Sequence, residues 1–420
     1  MVRGTASAAA KLSPGPSALP TFALHSLEKA LHTVRSYLGM DVAFVSEFVG
    51  DRRFFRHVDT RTFRSPIKVG ESSPLDEGYC KKIVDGVLPE LIPDTAAVPA
   101  ALEIPATREV PIGSHLSVPL RLADGKVYGT VCCFSFHPDV MLNERDLHLM
   151  KAFAELIAYQ IETSAESVRR RAEKVERIQG ILRSNGPRIV YQPIFLLHDN
   201  TPIGAESLSR FPNSPQRGPD QWFAEAGEVG LETELELKAI RNALSSYQPI
   251  FSRGSLYLSL NSSPRTIIRG RFLDLLEGLP PDQIVLEITE HDYVEDYAEL
   301  RGALAPLRTR GIKLAVDDAG SGYASMRHIL NLQPDVIKLD VSLTRGIDAD
   351  KMRRALASAL IEFAQQTNCQ IVAEGIETKS ELEMIRSLGV HAAQGYYLSK
   401  PLPIEELRRI ALNIWSTPQS

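Results

Sequence analysis

Seven short apolar runs in the C-terminal part of the chain each stop on, or just carry, a polar or ionisable residue. GAESL holds Glu206, LYLSLN ends on Asn261, QIVLEIT carries Glu287, and IKLAVDD closes on Asp317 and Asp318. VIKLD carries Lys338, CQIVAEG carries Glu374, and AAQ brings Gln394. If those ends converge, the carboxylates among them repel one another strongly unless cations neutralise them. Oxygen donors with no His or Cys among them select hard ions, Mg²⁺ or Mn²⁺, over zinc. Adjacent acids such as Asp317 and Asp318 let one bridge two ions while its neighbour holds only one. Two ions a few Å apart suit phosphodiester hydrolysis, because they generate hydroxide and stabilise charge on the attacking and leaving oxygens. A single acid at a strand end says little, since helix caps and ion pairs often put one there. A series of them at consecutive ends, with a lysine, is different in kind. Carboxylate-rich surroundings keep Lys338 protonated, which makes it a poor amine nucleophile.

Convergence requires a closed parallel sheet, and the pattern of the chain supplies one. Eight apolar runs lie at 187–195, 202–208, 256–261, 283–289, 312–318, 336–340, 369–375 and 392–398. The first two are a short loop apart and predict an antiparallel hairpin. From the second run on, strand and helix alternate, which predicts a (β/α)8 TIM-like barrel with a nonstandard, antiparallel first strand. In such a barrel the C-terminal strand ends meet on one rim. Upstream, DVAFVSEFV (41–49) and FFRHV (54–58) form two expected strands. HLSVPLRL (115–122) and VYGTVCCFSF (127–136) flank an Asp124-Gly125 turn, a strong hairpin signal. Together they predict a small antiparallel α+β domain over residues 21–163. From Leu147 to Leu182 apolar residues recur at helical spacing, with Asn143 as cap and Asn185-Gly186-Pro187 as stop. Past Ser164 that stripe narrows, which predicts a coiled-coil linker over 164–186. The expected division is a disordered tail at 1–20, the α+β domain, the linker, the barrel at 187–412 and a tail at 413–420.

The chain has 420 residues, with 44% hydrophobic, 24% charged and a net charge of -5, an ordinary globular composition. That balance argues against a global electrostatic grip on nucleic acid. Cys80, Cys132, Cys133 and Cys369 show no CxxC spacing, which points to a reducing compartment. No apolar stretch approaches the roughly 18 residues needed to span a bilayer, and the start lacks the apolar core of a signal peptide. A cytoplasmic protein without nucleic-acid or membrane partners is therefore expected. His291-Asp292 is a lone dipeptide with no other His near it in sequence, Gly320 and Gly322 read as a flexible turn, and Arg169, Arg170 and Arg171 solvate a helix face.

The segment from Tyr191 to Pro401 resembles the EAL-domain phosphodiesterases that linearise cyclic di-GMP to pGpG. The resemblance rests on YQPI (191–194), GAESLSRF (204–211), SLNSSP (259–264), LEITE (286–290), VDDAGSGYASM (316–326), PDVIKLD (334–340), VAEGIET (372–378) and QGYYLSKPLP (394–403). It implies two ions, Mg²⁺ or Mn²⁺, held by Glu206, Asn261, Glu287, Asp317, Asp318 and Glu374, with Asp317 as the bridge. It also implies that Lys338 positions the attacking water, that Glu374 shares a base role and that Gln394 supports that arrangement. Gln192, Leu208 and Arg210 would contact the substrate, Glu290 would anchor the loop after the Asp pair, and the protein would be a homodimer through barrel and linker. Two departures stand out: Ser207 replaces the alanine of the Glu-Ala-Leu triplet, and Ala319 replaces the usual aromatic after the Asp pair. The second allows an alternative, a weak or inactive receptor acting by binding only. Nothing resembles a diguanylate cyclase signature. Residues 21–163 resemble a GAF sensor domain through GYCKKIVDGVLPELIPD (78–94) and the 115–133 hairpin, and the resemblance assigns that domain no particular ligand.

Overall fold

The computed structural model describes residues 21–61, 65–212, 215–252, 256–270, 272–288, 294, 296–320 and 323–415. The chain forms two compact units, Met1–Ala172 and Glu173–Ser420. The expected tail at 1–20 and residues 416–420 of the expected C-terminal tail lie outside the described residues.

The first unit is built on six antiparallel strands, β1 (Val42–Val49), β2 (Arg52–Thr60), β3 (Ser72–Pro74), β4 (Leu91–Ile92), β5 (Ser114–Arg121) and β6 (Val127–Ser135). Their order is β3-β2-β1-β6-β5-β4. The predicted hairpin is present as β5 and β6, with Gly125 N–H donating to Leu122 O across the turn at 2.8 Å. Side chains alternate between faces along each strand. Ala43, Val45, Leu116, Val118 and Cys133 pack with the helices Thr21–Leu38 and Glu144–Arg183, while Val42, Phe44, Cys132 and Phe134 face the helix Tyr79–Val84.

The stripe from Leu147 to Leu182 is one helix, Glu144–Arg183. Asn143 starts it: Arg145 N–H donates to Asn143 Oδ1 at 2.9 Å, and Asn143 N–H donates back to Asp146 Oδ2 at 3.0 Å. The two bonds cap this helix end reciprocally, the Asn143 side chain through the N2 amide and Asp146 in return. Residues 165–173 of the expected linker segment are exposed throughout. Val175, Ile178 and Leu182 instead join Trp222, Ala226 and Leu235 in a core cluster of the second unit. The narrow stripe there has an intramolecular partner, the helix pair Pro219–Val229 and Glu232–Phe251, and Arg177 pairs with Glu225 at 2.9 Å beside it.

The second unit is the expected barrel. Its strands are β7 (Arg188–Leu196), β8 (Pro202–Arg210), β9 (Tyr257–Asn261), β10 (Ile284–Ile288), β11 (Lys313–Ala319), β12 (Val336–Leu339), β13 (Gln370–Ala373) and β14 (Ala392–Ala393). The sheet closes, with β7 antiparallel to both β8 and β14 and every other pair parallel. A layer of Ile194, Val285, Ala315, Val336, Val372 and Ala392, drawn from six different strands, packs together. Among the described residues, no helix is long and apolar enough to cross a membrane.

Candidate active site

The polar residues lie one pleat above that apolar layer. Glu287 is two residues past Val285, Asp317 past Ala315, Lys338 past Val336, Glu374 past Val372 and Gln394 past Ala392. A strand returns to the same face every second residue, so one apolar layer places the next layer on the same side of the sheet. Lys338, only 1% exposed, is the hub. Its Nζ lies 2.8 Å from Glu374 Oε1, 2.9 Å from Glu287 Oε2, 3.1 Å from Asp317 Oδ1 and 3.4 Å from Glu206 Oε2. Asn261 Nδ2 donates to Glu206 Oε1 at 3.0 Å, and Gln394 Nε2 donates to Glu206 at 2.6 Å and to Glu374 at 2.7 Å.

Adjacent side chains on a regular strand point to opposite faces, so Asp317 and Asp318 cannot both reach one rim without a break. The break is present: the pairing of β11 with β12 shifts register between Val316 and Ala319, and Asp318 adopts φ 56°. Asp is among the few residues that tolerate this left-handed conformation. Oxygen atoms of Asp317, Asp318 and Glu374 consequently lie within 4.8 Å of one another, as do those of Glu206, Glu287 and Asp317. Glu374 is turned inward just before Gly375, where φ is +63° and a Cβ would sit 2.5 Å from Val341 Cγ2.

The charges are far from balanced by Lys338 alone. Burial, with Glu206 and Asp317 nearby, pushes the Glu287 carboxyl up to about 8 despite Lys338. Burial and Asp317 likewise hold Glu374 well above the usual carboxylate range. Burial disfavours the charge on Lys338, but Asp317, Glu206, Glu287 and Glu374 more than offset it and hold the ammonium well above its ordinary value. The cluster is short of positive charge. Gln394 Oε1 is also buried without a hydrogen-bond partner. Both observations, with an all-oxygen donor set, fit hard divalent cations at this rim.

The expected substrate-contacting residues flank the cluster. Gln192 is paired in register with Glu206 across β7 and β8, and its Nε2 donates to Ser399 O at 3.2 Å. Leu208 and Arg210 follow Glu206 at two-residue intervals on β8, and Arg210 Nη1 donates to Ser209 O at 2.9 Å. Glu290, His291 and Asp292 lie outside the described residues, as do Ser321 and Gly322 of the loop after the Asp pair. Ala319 is fully buried among Val316, Ile337, Leu339 and Leu343. Ser207 uses its hydroxyl, which donates to Ser259 O at 2.9 Å and ties β8 to β9.

Two supporting residues escaped the motif reading. Ser259 donates its hydroxyl to Glu287 Oε1, and its place two residues before Asn261 on β9 is the sequence signal for it. Glu236, on the helix Glu232–Phe251, has no comparable signal. Its Oε2 accepts from both Ser263 N–H and Ser263 Oγ at 3.0 Å, holding the turn that follows Asn261. Burial pushes the Glu236 carboxyl from 4.5 up to about 7, against the hydrogen bonds from Ser263 and Thr266. A raised acid stabilises the fold fully below its unfolded value, and that contribution is lost as pH rises through its folded value. We therefore expect wild-type stability to fall relative to Glu236→Gln as pH rises between those values, by about 3 kcal/mol at most. Urea unfolding of both proteins across that range checks it, and parallel pH profiles would remove the assignment.

The sequence profile of the EAL domain matches residues 155–401. The chain belongs to the EAL domain family. A GAF domain profile matches residues 26–162 of the same chain. The EAL part is 29% identical over 242 residues to the cyclic di-GMP phosphodiesterase NbdA of Pseudomonas aeruginosa, covering 55% of this chain and 31% of NbdA. The chain also spans less than two-thirds of the length of other curated relatives that it matches. Among solved structures, the MucR phosphodiesterase in complex with c-di-GMP aligns with a TM-score of 0.51 at 26% identity, covering 56% of this chain and 99% of that one. The EAL enzyme Bd1971 aligns over 89% of this chain and 93% of its own, with a TM-score of 0.55 at 19% identity, a likeness of fold alone.

Proposed function

We propose that the EAL barrel hydrolyses cyclic di-GMP to linear pGpG, using two divalent ions, Mg²⁺ or Mn²⁺, under the control of the GAF domain. The observation that carries this reading is the buried Lys338 ammonium enclosed by Glu206, Glu287, Asp317 and Glu374 on the rim of an EAL-family barrel. Glu206, Asn261, Glu287, Asp317, Asp318 and Glu374 would hold the ions, and Asp317 belongs to both carboxylate groups that could do so. Bound there, such ions would supply Lewis-acid polarisation of the phosphodiester and would ease deprotonation of the attacking water.

The chain's own groups do the positioning. Lys338 stays protonated and donates a hydrogen bond to the attacking water, and Glu374 accepts that water's proton. The Gln394 amide bridges Glu206 and Glu374 and fixes both carboxylates. Arg210 suits the phosphate because its planar fork matches two phosphate oxygens, and Gln192 and Leu208 line the approach. The protein acts as a homodimer through the barrel and the exposed stretch of the long helix; a strict monomer by mass in concentrated solution would remove this part.

Incubation of the full-length protein with cyclic di-GMP and Mn²⁺ tests the activity. A linear dinucleotide should accumulate, and a chelator should abolish it. Tight binding without turnover would instead favour a receptor, the reading to which Ala319 in place of the family's usual aromatic points.

A further inference from the structure

Among the described residues, one guanidinium in the GAF unit forms no ion pair with a carboxylate. Arg53, on β2, donates from Nη1 to Cys80 Sγ at 3.0 Å and from Nη2 to Ser73 Oγ at 3.0 Å, and its Cζ lies 4.9 Å from the centre of the Phe55 ring. Its Nε is buried without a hydrogen-bond partner, and among the described residues no carboxylate forms an ion pair with it. The guanidinium lies against Gly78, where a Cβ would come within 2.5 Å of Nη1. The guanidinium also lines a cavity of about 380 Å³, shared with Phe44, Tyr79, His115, Glu71, Glu77 and Glu109. The half-buried guanidinium has a sulfur as its acceptor at hydrogen-bond distance.

That sulfur has a second thiol beside it. Cys80 Sγ lies 3.5 Å from Cys132 Sγ, and Cys132 Sγ lies 2.9 Å from Ser117 Oγ and 3.1 Å from Thr130 Oγ1. Both cysteines are fully buried. Burial pushes the Cys80 thiol up, but the hydrogen bond from Cys132 and the charge of Arg53 overcome it and set Cys80 well below its ordinary value. Burial and the neighbouring Cys80 push Cys132 well above its own. Arg53 bonds the Cys80 sulfur, which assigns Cys80 as the nucleophilic sulfur and its neighbour Cys132 as the resolving one. Cys133 sits on the opposite face of β6, in the aliphatic core.

We propose that Cys80 and Cys132 form a redox-active dithiol that a small hydroperoxide oxidises to a disulfide. The Cys80 thiolate attacks the terminal peroxide oxygen, the O–O bond breaks, and the departing hydroxide (an alkoxide from an alkyl hydroperoxide) takes a proton from solvent and leaves as water or alcohol. Cys80 is then a sulfenic acid. Cys132 gives its proton to the sulfenic oxygen and attacks the Cys80 sulfur; the S–O bond breaks, water leaves and the S–S bond forms. With hydrogen peroxide, two electrons pass from the sulfurs to the peroxide. The sulfurs must close from 3.5 Å to about 2.05 Å. Arg53 is a positioning residue, holding Cys80 as thiolate.

The test treats the full-length protein with hydrogen peroxide, blocks the remaining thiols and maps the peptides. Two of the four thiols should disappear, Cys80 and Cys132 should be found joined, and dithiothreitol should restore both. In Cys132→Ser, Cys80 should stop at a sulfenic acid that dimedone traps. In Arg53→Gln, alkylation of Cys80 at neutral pH should slow by about tenfold or more and its pH profile should move upward. A merely structural arginine would leave that profile in place. Cys80 and Cys132 left unmodified where Cys369 is oxidised, a cross-link to any other cysteine, or an unmoved profile in Arg53→Gln would each overturn the proposal.

Discussion

Glu206→Ala should reduce conversion of cyclic di-GMP by more than about 100-fold while leaving the barrel folded. Glu206 is the acid on which three supports converge: Asn261 Nδ2 at 3.0 Å, Gln394 Nε2 at 2.6 Å and Lys338 Nζ at 3.4 Å. Removing it takes one ligand from the proposed metal set and releases both amides from their shared anchor. The fold should tolerate the loss. Glu206 is one of the neighbours that raise Glu287 to about 8, so its removal relieves like-charge crowding in the metal-free protein. Thermal unfolding without divalent ions should therefore occur no earlier than in wild type, and Glu206→Gln, which keeps the volume, should behave in the same way. Retained turnover in Glu206→Ala would end the assignment of Glu206 to the reaction.

Replacing the hub should do the opposite to stability. Lys338→Met keeps a side chain of similar length but deletes the positive charge from a site that is 1% exposed. Breaking a buried charge cluster by removing one partner typically costs about 3–5 kcal/mol, because the remaining charges stay buried and uncompensated. Here Glu206, Glu287, Asp317 and Glu374 would be left facing one another. Some of the cost is absorbed by protonation of Glu374 and Glu287, both already pushed up. Two outcomes are expected: a clear drop in the metal-free unfolding midpoint, and a larger rise on adding Mn²⁺ than wild type shows, since the ions then supply the missing charge. Turnover should fall as well. An unchanged midpoint with an unchanged response to Mn²⁺ would mean that Lys338 is not the electrostatic partner of these acids.

Much of this architecture is legible in the chain because it follows from periodicity. The eight barrel strands fall where the apolar runs lie, and the rim acids follow from the two-residue period of a strand. Val285 places Glu287, Val336 places Lys338 and Val372 places Glu374, and each step is local. The Asp124-Gly125 hairpin and the Asn143 cap are equally local, since one turn and one side-chain oxygen decide them.

What the chain could not disclose depends on partners distant in sequence. The narrow stripe past Ser164 predicts a coiled coil with a second copy of the chain, and its Val175, Ile178 and Leu182 pack in one cluster with Trp222 and Leu235. Glu236 reaches Ser263 from 27 positions away, through packing that no motif encodes. Cys80 and Cys132 are 52 positions apart with no CxxC spacing, and the sheet puts them side by side with Arg53.

By itself, then, the sequence determined the barrel, the strand ends and the oxygen-rich character of the rim, because strand period and residue type are properties of neighbours along the chain. Only the tertiary structure decided that Asp317 and Asp318 share one rim, through a register shift and a left-handed Asp318. It also decided how four acids close around one lysine. Charge acts through space, and its consequences are set once folding has chosen the distances and excluded the water.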